Sequence, residues 1–100
     1  MPALLILNYD VHDRDLLHDY RGRATPILMV GTTRLIASTN DTIHLAEAPA
    51  GGTHTVVLEF PDVAEAQRVY SSQEYQEVLQ DRLRATTPRS AMIVPTYAPA

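Results

Sequence analysis

His54-Thr-Val-Val-Leu-Glu-Phe60 is the clearest strand signal in the chain, because β-branched and aromatic side chains crowd it and Pro61 stops it. Two helix starts follow directly. Asp62 with Glu65 and Ser71 with Glu74 both have the spacing of a capping box, in which a side-chain oxygen and a carboxylate satisfy the orphan amides of a first turn. The spacing predicts helices over 62–70 and from 72 to about 84, with Pro88 closing the helical region. A last strand is expected over 91–94, which Pro95 confines to a sheet edge or a strand end. Upstream, Ala48-Pro-Ala-Gly-Gly52 has turn composition, so 54–60 should form a hairpin with a strand over 34–38, which has room to resume over 42–47.

Toward the N-terminus, the short apolar run 3–9 is bounded by Asp10 and fits a buried strand better than a helix. From Asp13 onward, apolar residues at 16, 17, 20, 24, 27 and 28 have helical spacing, and acids crowd the first turn, where the helix dipole favours them. Thr25 before Pro26 predicts a kink or restart, with Gly31 ending the second piece. The order is βαββαβ with the second helix in two parts. That order describes an α+β ferredoxin-like plait, a four-stranded antiparallel sheet with the helices on one face, forming a single domain over 1–97 with a loose tail at 98–100.

Both faces of this sheet read as apolar: Leu4 and Ile6 alternate with Leu5 and Leu7, and Val57 alternates with Val56 and Leu58. Helices cover one face only, and soluble monomers rarely leave a contiguous apolar patch in water. A homodimer packed sheet against sheet is therefore expected.

Composition excludes several function classes. The 100 residues contain no cysteine, lysine or tryptophan; the eight basic residues are all arginine, against twelve acids, for a net charge of -4. Disulfides, thiolate metal sites, cysteine nucleophiles and lysine Schiff bases are ruled out. Scattered arginines in an acidic chain argue against nucleic acid, which wants a concentrated basic stripe. The start carries neither a signal-peptide pattern nor a membrane span, so a cytoplasmic protein without a membrane partner is expected. No glycine-rich phosphate loop points to a nucleotide, and no His-x-x-x-His or Glu-x-x-His spacing points to a metal, so no cofactor is expected.

Glu59 is the residue that most needs explaining, since a lone carboxylate in a buried strand either pairs or changes its pKa. Arg82, on the stripe Tyr75, Leu79, Arg82 of the last helix, is the natural partner, through a bidentate guanidinium contact. Two readings stay open. The pair is a strut tying helix to sheet, or Glu59 is a pocket acid or base while Arg82 or Arg34 holds an anionic group of a substrate. Asn8 interrupts an apolar strand and either orients a ligand or pairs with neighbouring backbone. Tyr20, Tyr70 and Tyr75 add hydroxyls on apolar bodies, as core residues or as walls for a flat molecule. Of four histidines, His44 and His54 flank one hairpin, where a shared face would permit metal binding or acid–base work, but a hairpin end predicts exposure.

Val56-Val-Leu-Glu-Phe-Pro-Asp62, then Ala64-x-Ala66, Tyr70-Ser-Ser72, Tyr75-Gln76 and Arg82, resembles the bacterial domain-of-unknown-function family 1330, of the dimeric α/β-barrel superfamily. Asp10-Val11-x-Asp13 with Tyr20, and Gly31 with Arg34-Leu35-Ile36-Ala37, extend the resemblance over nearly the whole chain. It implies a single-domain dimer with the plait order above and brings no established activity. Where the family carries an aromatic before Tyr70, often Trp, this chain has Val69, which implies added room beside Tyr70 for a ligand. Related dimeric barrels include cofactor-free monooxygenases and cyclases. The expectation is a small cofactor-independent enzyme moving a proton on a small organic substrate, as an isomerase, cyclase or lyase. Glu59 and Arg82 would be its catalytic groups and Asn8, Tyr20, Arg34, Val69, Tyr70 and Tyr75 its binding residues. A non-catalytic metabolite-binding or sensor dimer and a cofactor-free monooxygenase are the alternatives.

Overall fold

A computed structural model describes residues 1–97. The elements are β1 (Ala3–Val11), α1 (Arg14–Leu28), β2 (Arg34–Thr39), β3 (His54–Phe60), α2 (Val63–Tyr70), α3 (Gln73–Ala85) and β4 (Thr86–Pro95). All strand pairs are antiparallel in the order β2-β3-β1-β4, the arrangement of a ferredoxin-like plait. The expected tail at 98–100 lies outside the described residues.

Strand alternation decides what each face does. Leu5, Leu7 and Tyr9 of β1 and Leu58 and Phe60 of β3 point to the helices, where they form one core with Leu17, Tyr20, Ala24 and Leu28 of α1, Val69 of α2 and Tyr75, Val78 and Leu79 of α3. The opposite face carries Leu4, Ile6 and Asn8 of β1, paired with Val94, Met92 and Ser90 of β4 and with Glu59, Val57 and Thr55 of β3. Among the described residues, no helix covers that second face.

Several local expectations shift. Helix α1 runs through Pro26 without a restart. Its N-cap is Asp13, which accepts from Leu16 N at 3.0 Å; the Thr25 hydroxyl donates to Arg21 O at 2.7 Å, and the Met29 amide closes the last turn on Thr25 O. Gly31 takes the left-handed conformation at φ 59 in the turn after the helix, which Thr33 N closes on Val30 O at 3.1 Å. Asp62 caps α2 as expected, accepting from Glu65 N at 2.7 Å. Ser72, not Ser71, caps α3. Glu74 therefore falls one position short of a capping box, and Ser71 instead ends α2.

Pro88 does not close a helical region. β4 begins at Thr86, straight after α3, and Pro88 sits opposite Tyr9 beside the register shift between Asn8 and Tyr9. β4 is an edge strand, where a missing ladder donor is tolerated, and the extra residue is Arg89, which reaches Asp10 at 2.8 Å. Residues 42–47 form no strand. Thr42 is instead tied to Thr55 through their hydroxyls at 2.6 Å, and His44 Nε2 donates to Gly52 O at 2.8 Å.

Candidate functional site

Glu59 and Arg82 do not meet. Leu58 and Phe60 must face the helices, so Glu59 between them faces away, where it accepts from Arg34 Nε at 3.0 Å and Nη2 at 2.9 Å. Arg82 is buried on the helix side, 3 % exposed, and donates to the Tyr75 hydroxyl at 3.2 Å and the Tyr70 hydroxyl at 3.1 Å. The expected ion pair between helix and sheet is therefore replaced by two separate arrangements on opposite faces. Arg34 with Glu59 is an exposed strand-to-strand pair. Arg82 belongs to a tyrosine cluster in which Tyr75 and Tyr20 hydroxyls are 2.6 Å apart and the Tyr9 ring lies 6.0 Å from the guanidinium carbon. Burial pushes the Tyr75 hydroxyl far above the ordinary phenol range, so it stays protonated.

Asn8 is a structural clamp. Its Nδ2 donates to Gly52 O at 3.0 Å, to His54 O and to Thr55 Oγ1, while its Oδ1 accepts from Gly52 N at 2.6 Å. A side chain at position 52 would put its Cβ 2.3 Å from the Tyr9 carbonyl carbon, so only glycine allows this approach. The clamp holds the loop between β2 and β3 against β1 and fixes the start of β3, where His54 stands.

His54 is buried, 3 % exposed, against the expectation for a hairpin end, and it does not share partners with His44. Arg21 Nη2 lies 2.7 Å from its Nε2 and Asn40 Oδ1 lies 2.7 Å from its Nδ1. A guanidinium only donates and a carbonyl oxygen only accepts, so the ring is neutral with its proton on Nδ1 and its lone pair on Nε2. Ser38 Oγ stands 3.5 Å from the same Nε2, and the Tyr9 ring packs at 5.2 Å between centroids. Burial, and then the Arg21 charge, hold the His54 pKa below its ordinary value.

The sign of that shift sets a pH dependence. An unfolded His54 binds its proton near pH 6.5 and the native one only at lower pH, so the unfolded state takes up more protons across that interval. Stability should be flat above about pH 7.5 and fall as the pH drops through 6.5 toward the depressed native value. His54→Gln should remove this part of the slope in urea titrations; an unchanged wild-type-minus-variant difference from pH 7.5 to 5 would contradict it.

Two cavities are lined by hydrogen-bond partners of His54. The first, of about 250 Å³, lies between α1 and the β2–β3 side of the sheet, lined by the apolar Leu7, Ala24, Leu28 and Leu58 and by Tyr9, Arg21 and Ser38. The second, of about 470 Å³, is lined by Arg14, Arg21, Asn40 and Thr53 together with Val11 and Leu17. Arg21 borders both. Of the residues expected at a ligand site, Tyr20 alone lines the first cavity. Val69 is packed into the core, and the space expected beside Tyr70 lies instead across the core, under α1. Arg21, Ser38 and Asn40 had no signal in the sequence, since long-range folding alone brings α1, β2 and its following loop to His54. Among the described residues, no three His, Asp or Glu side chains gather in a group that could hold a metal ion, and no helix is long and apolar enough to cross a membrane.

Comparison with known proteins agrees with the fold. The chain is similar to the crystal structure of RPA0582, a protein of unknown function from Rhodopseudomonas palustris, at 13 % identity and a TM-score of 0.69, covering 98 % of this chain and 84 % of that one. A structure of methylated RPA0582 gives a TM-score of 0.65 at 14 % identity, covering 98 % and 82 %. A search of the curated proteins finds no match. The family model described as a domain of unknown function, DUF1330, matches residues 2–97, and with its motifs and plait topology in place the chain belongs to that family.

Proposed function

We propose that this protein moves a proton on a small organic molecule without a cofactor, and that His54, not Glu59, is the proton-transfer group. The observation that carries the reading is the neutral His54 ring, held by Asn40 at Nδ1 and by Arg21 and Ser38 at Nε2, three side chains that themselves line the two cavities. A buried imidazole with a set tautomer is the side chain best suited to general acid–base work near neutral pH. Glu59 is instead paired with Arg34 on the face opposite the helices, and neither of the two lines a cavity. Arg82 does not line either cavity, and its contribution is a buried positive charge behind Tyr9.

Deuterium incorporation from D₂O into a panel of cyclic and aromatic carbonyl compounds, followed by NMR, tests this. The wild-type protein should accelerate exchange at a carbon next to the carbonyl of at least one member, and His54→Gln should lower that rate by about 10²–10⁴-fold. Full exchange by His54→Gln would end the proposal. A second reading, ligand binding without turnover, draws on the mainly apolar walls of the first cavity, which resemble a binding pocket more than a charged reaction centre. It predicts thermal stabilisation by panel members with no exchange in either protein.

The assembly we propose is a homodimer packed through the uncovered sheet face. Leu4, Ile6, Val57, Met92 and Val94 make that face apolar, and Met92 is 45 % exposed. The charges at its border are already balanced, Arg34 by Glu59 and Arg89 by Asp10, so two copies can approach without like-charge repulsion.

A further inference from the structure

The guanidinium groups of this chain fall into two sets. Among the described residues, Arg23 and Arg84 pair with Asp81, Arg34 with Glu59, Arg68 with Glu65 and Arg89 with Asp10. The remaining three, Arg14, Arg21 and Arg82, have no carboxylate partner there. They are not scattered. Arg14 and Arg21 line the second cavity, Arg21 also lines the first, and Arg82 lies behind the Tyr9 ring, which lines the first cavity as well. In a chain with more acids than bases, the cations left unneutralised are concentrated around one site. A guanidinium in such a setting matches a carboxylate bidentately.

Arg21 has the properties of a movable receptor. Its side chain projects from the exposed face of α1, and its head group rests on a neutral acceptor, His54 Nε2, at 2.7 Å. That contact occupies the one lone pair the ring offers, so His54 cannot accept a proton from a substrate while Arg21 stays there. A carboxylate offers Arg21 a stronger, charge-assisted partner than an imidazole does. The first cavity, of about 250 Å³ with mainly apolar walls, suits a compact apolar body behind the carboxylate.

We propose that Arg21 recognises an organic carboxylate with a compact apolar body, and that the same carboxylate, by drawing the guanidinium off His54, frees Nε2 for proton transfer. The substrate thus uncovers its own base, which protects the ring from idle protonation in the empty protein. This rests on His54 as the proton-transfer group. The groups facing His54 are Tyr9 from β1, Arg21 from α1, Ser38 from β2 and Asn40 from the loop that follows it, with Arg82 of α3 behind Tyr9. No carboxylate of the described residues stands among them, so an incoming anion would be the first negative charge at the ring.

The test uses benzoate and its neutral counterpart benzamide, with the His54 ring followed by ¹H–¹³C NMR during pH titration. Benzoate should raise the His54 pKa and benzamide should leave it in place. Arg21→Gln keeps a good helix former at an exposed position, so the fold should persist; it should raise the His54 pKa of the empty protein and weaken benzoate binding by about 10- to 100-fold. Equal binding of the two probes overturns the carboxylate assignment. An unmoved His54 titration in Arg21→Gln overturns the capping role. Binding of neither probe also overturns the assignment, while the deuterium-exchange assay with His54→Gln judges His54 itself independently of Arg21.

Discussion

Tyr75→Ala is expected to cost about 3–5 kcal/mol, enough to bring a domain at the low end of the ordinary range of about 5–15 kcal/mol close to unfolding. Tyr75 is wholly buried and stands at the centre of the helix-side core, its ring 4.9 Å from that of Tyr70 and 6.4 Å from that of Tyr20 between centroids. Removing the ring leaves a void that a sheet on one side and two helices on the other cannot close, and it also strips partners from Tyr20 and Arg82. Tyr75→Phe separates the two losses. The phenyl ring still fills the space, so the cost should fall to about 1–3 kcal/mol, the range for an orphaned buried polar group. Urea unfolding of both variants measures the difference. If Tyr75→Phe is as damaging as Tyr75→Ala, the hydroxyl network and not the packed ring holds this region.

The fold is legible because its signals are local. Pro61 ends β3 and Asp62 caps α2 at adjacent positions, and apolar alternation in β1 and β3 needs no long-range information. Proline misleads twice for one reason: it excludes a backbone donor but not a direction of chain. At Pro26 the helix continues for two more residues, and at Pro88 the strand continues because that position lies on a sheet edge beside a bulge.

The candidate site is much less legible. Glu59 stands out as a carboxylate in an apolar strand, yet strand parity already sets it opposite Phe60, on the face no helix residue reaches. Arg82 is the buried charge that its helix stripe suggests, with tyrosine hydroxyls in place of a carboxylate. The two do not pair because their separate environments lie on opposite sides of the sheet. His54 shows the opposite limit. Its burial depends on Asn8 clasping Gly52 and its tautomer on Arg21 and Asn40, contacts that span 44, 33 and 14 residues and leave no pattern in a single sequence. Eight arginines against twelve acids likewise cannot reveal which cations the fold will leave unpaired.

Ile6→Glu is expected to convert the proposed dimer to a folded monomer. Ile6 is central on the uncovered face, opposite Val57 on one side and Met92 on the other. Two-fold packing through this face would bury one new carboxylate from each copy, and each unpaired buried charge costs several kcal/mol, so the dissociation constant should rise by about 10⁴-fold or more. The fold itself should survive, because in the monomer the new carboxylate would point to water from a strand whose other side still carries Leu5 and Leu7 into the core. Sedimentation velocity at micromolar concentration reads the change in mass, and far-UV circular dichroism confirms that the sheet is intact. A wild-type protein that sediments as a monomer refutes the sheet-to-sheet dimer outright, and a variant that remains dimeric places the interface on another surface. The helix-side cavities stand apart from this result, since neither uses the uncovered face. A folded Ile6→Glu monomer that still catalyses deuterium exchange would then show that one chain carries the whole reaction, with the dimer serving only to cover apolar sheet.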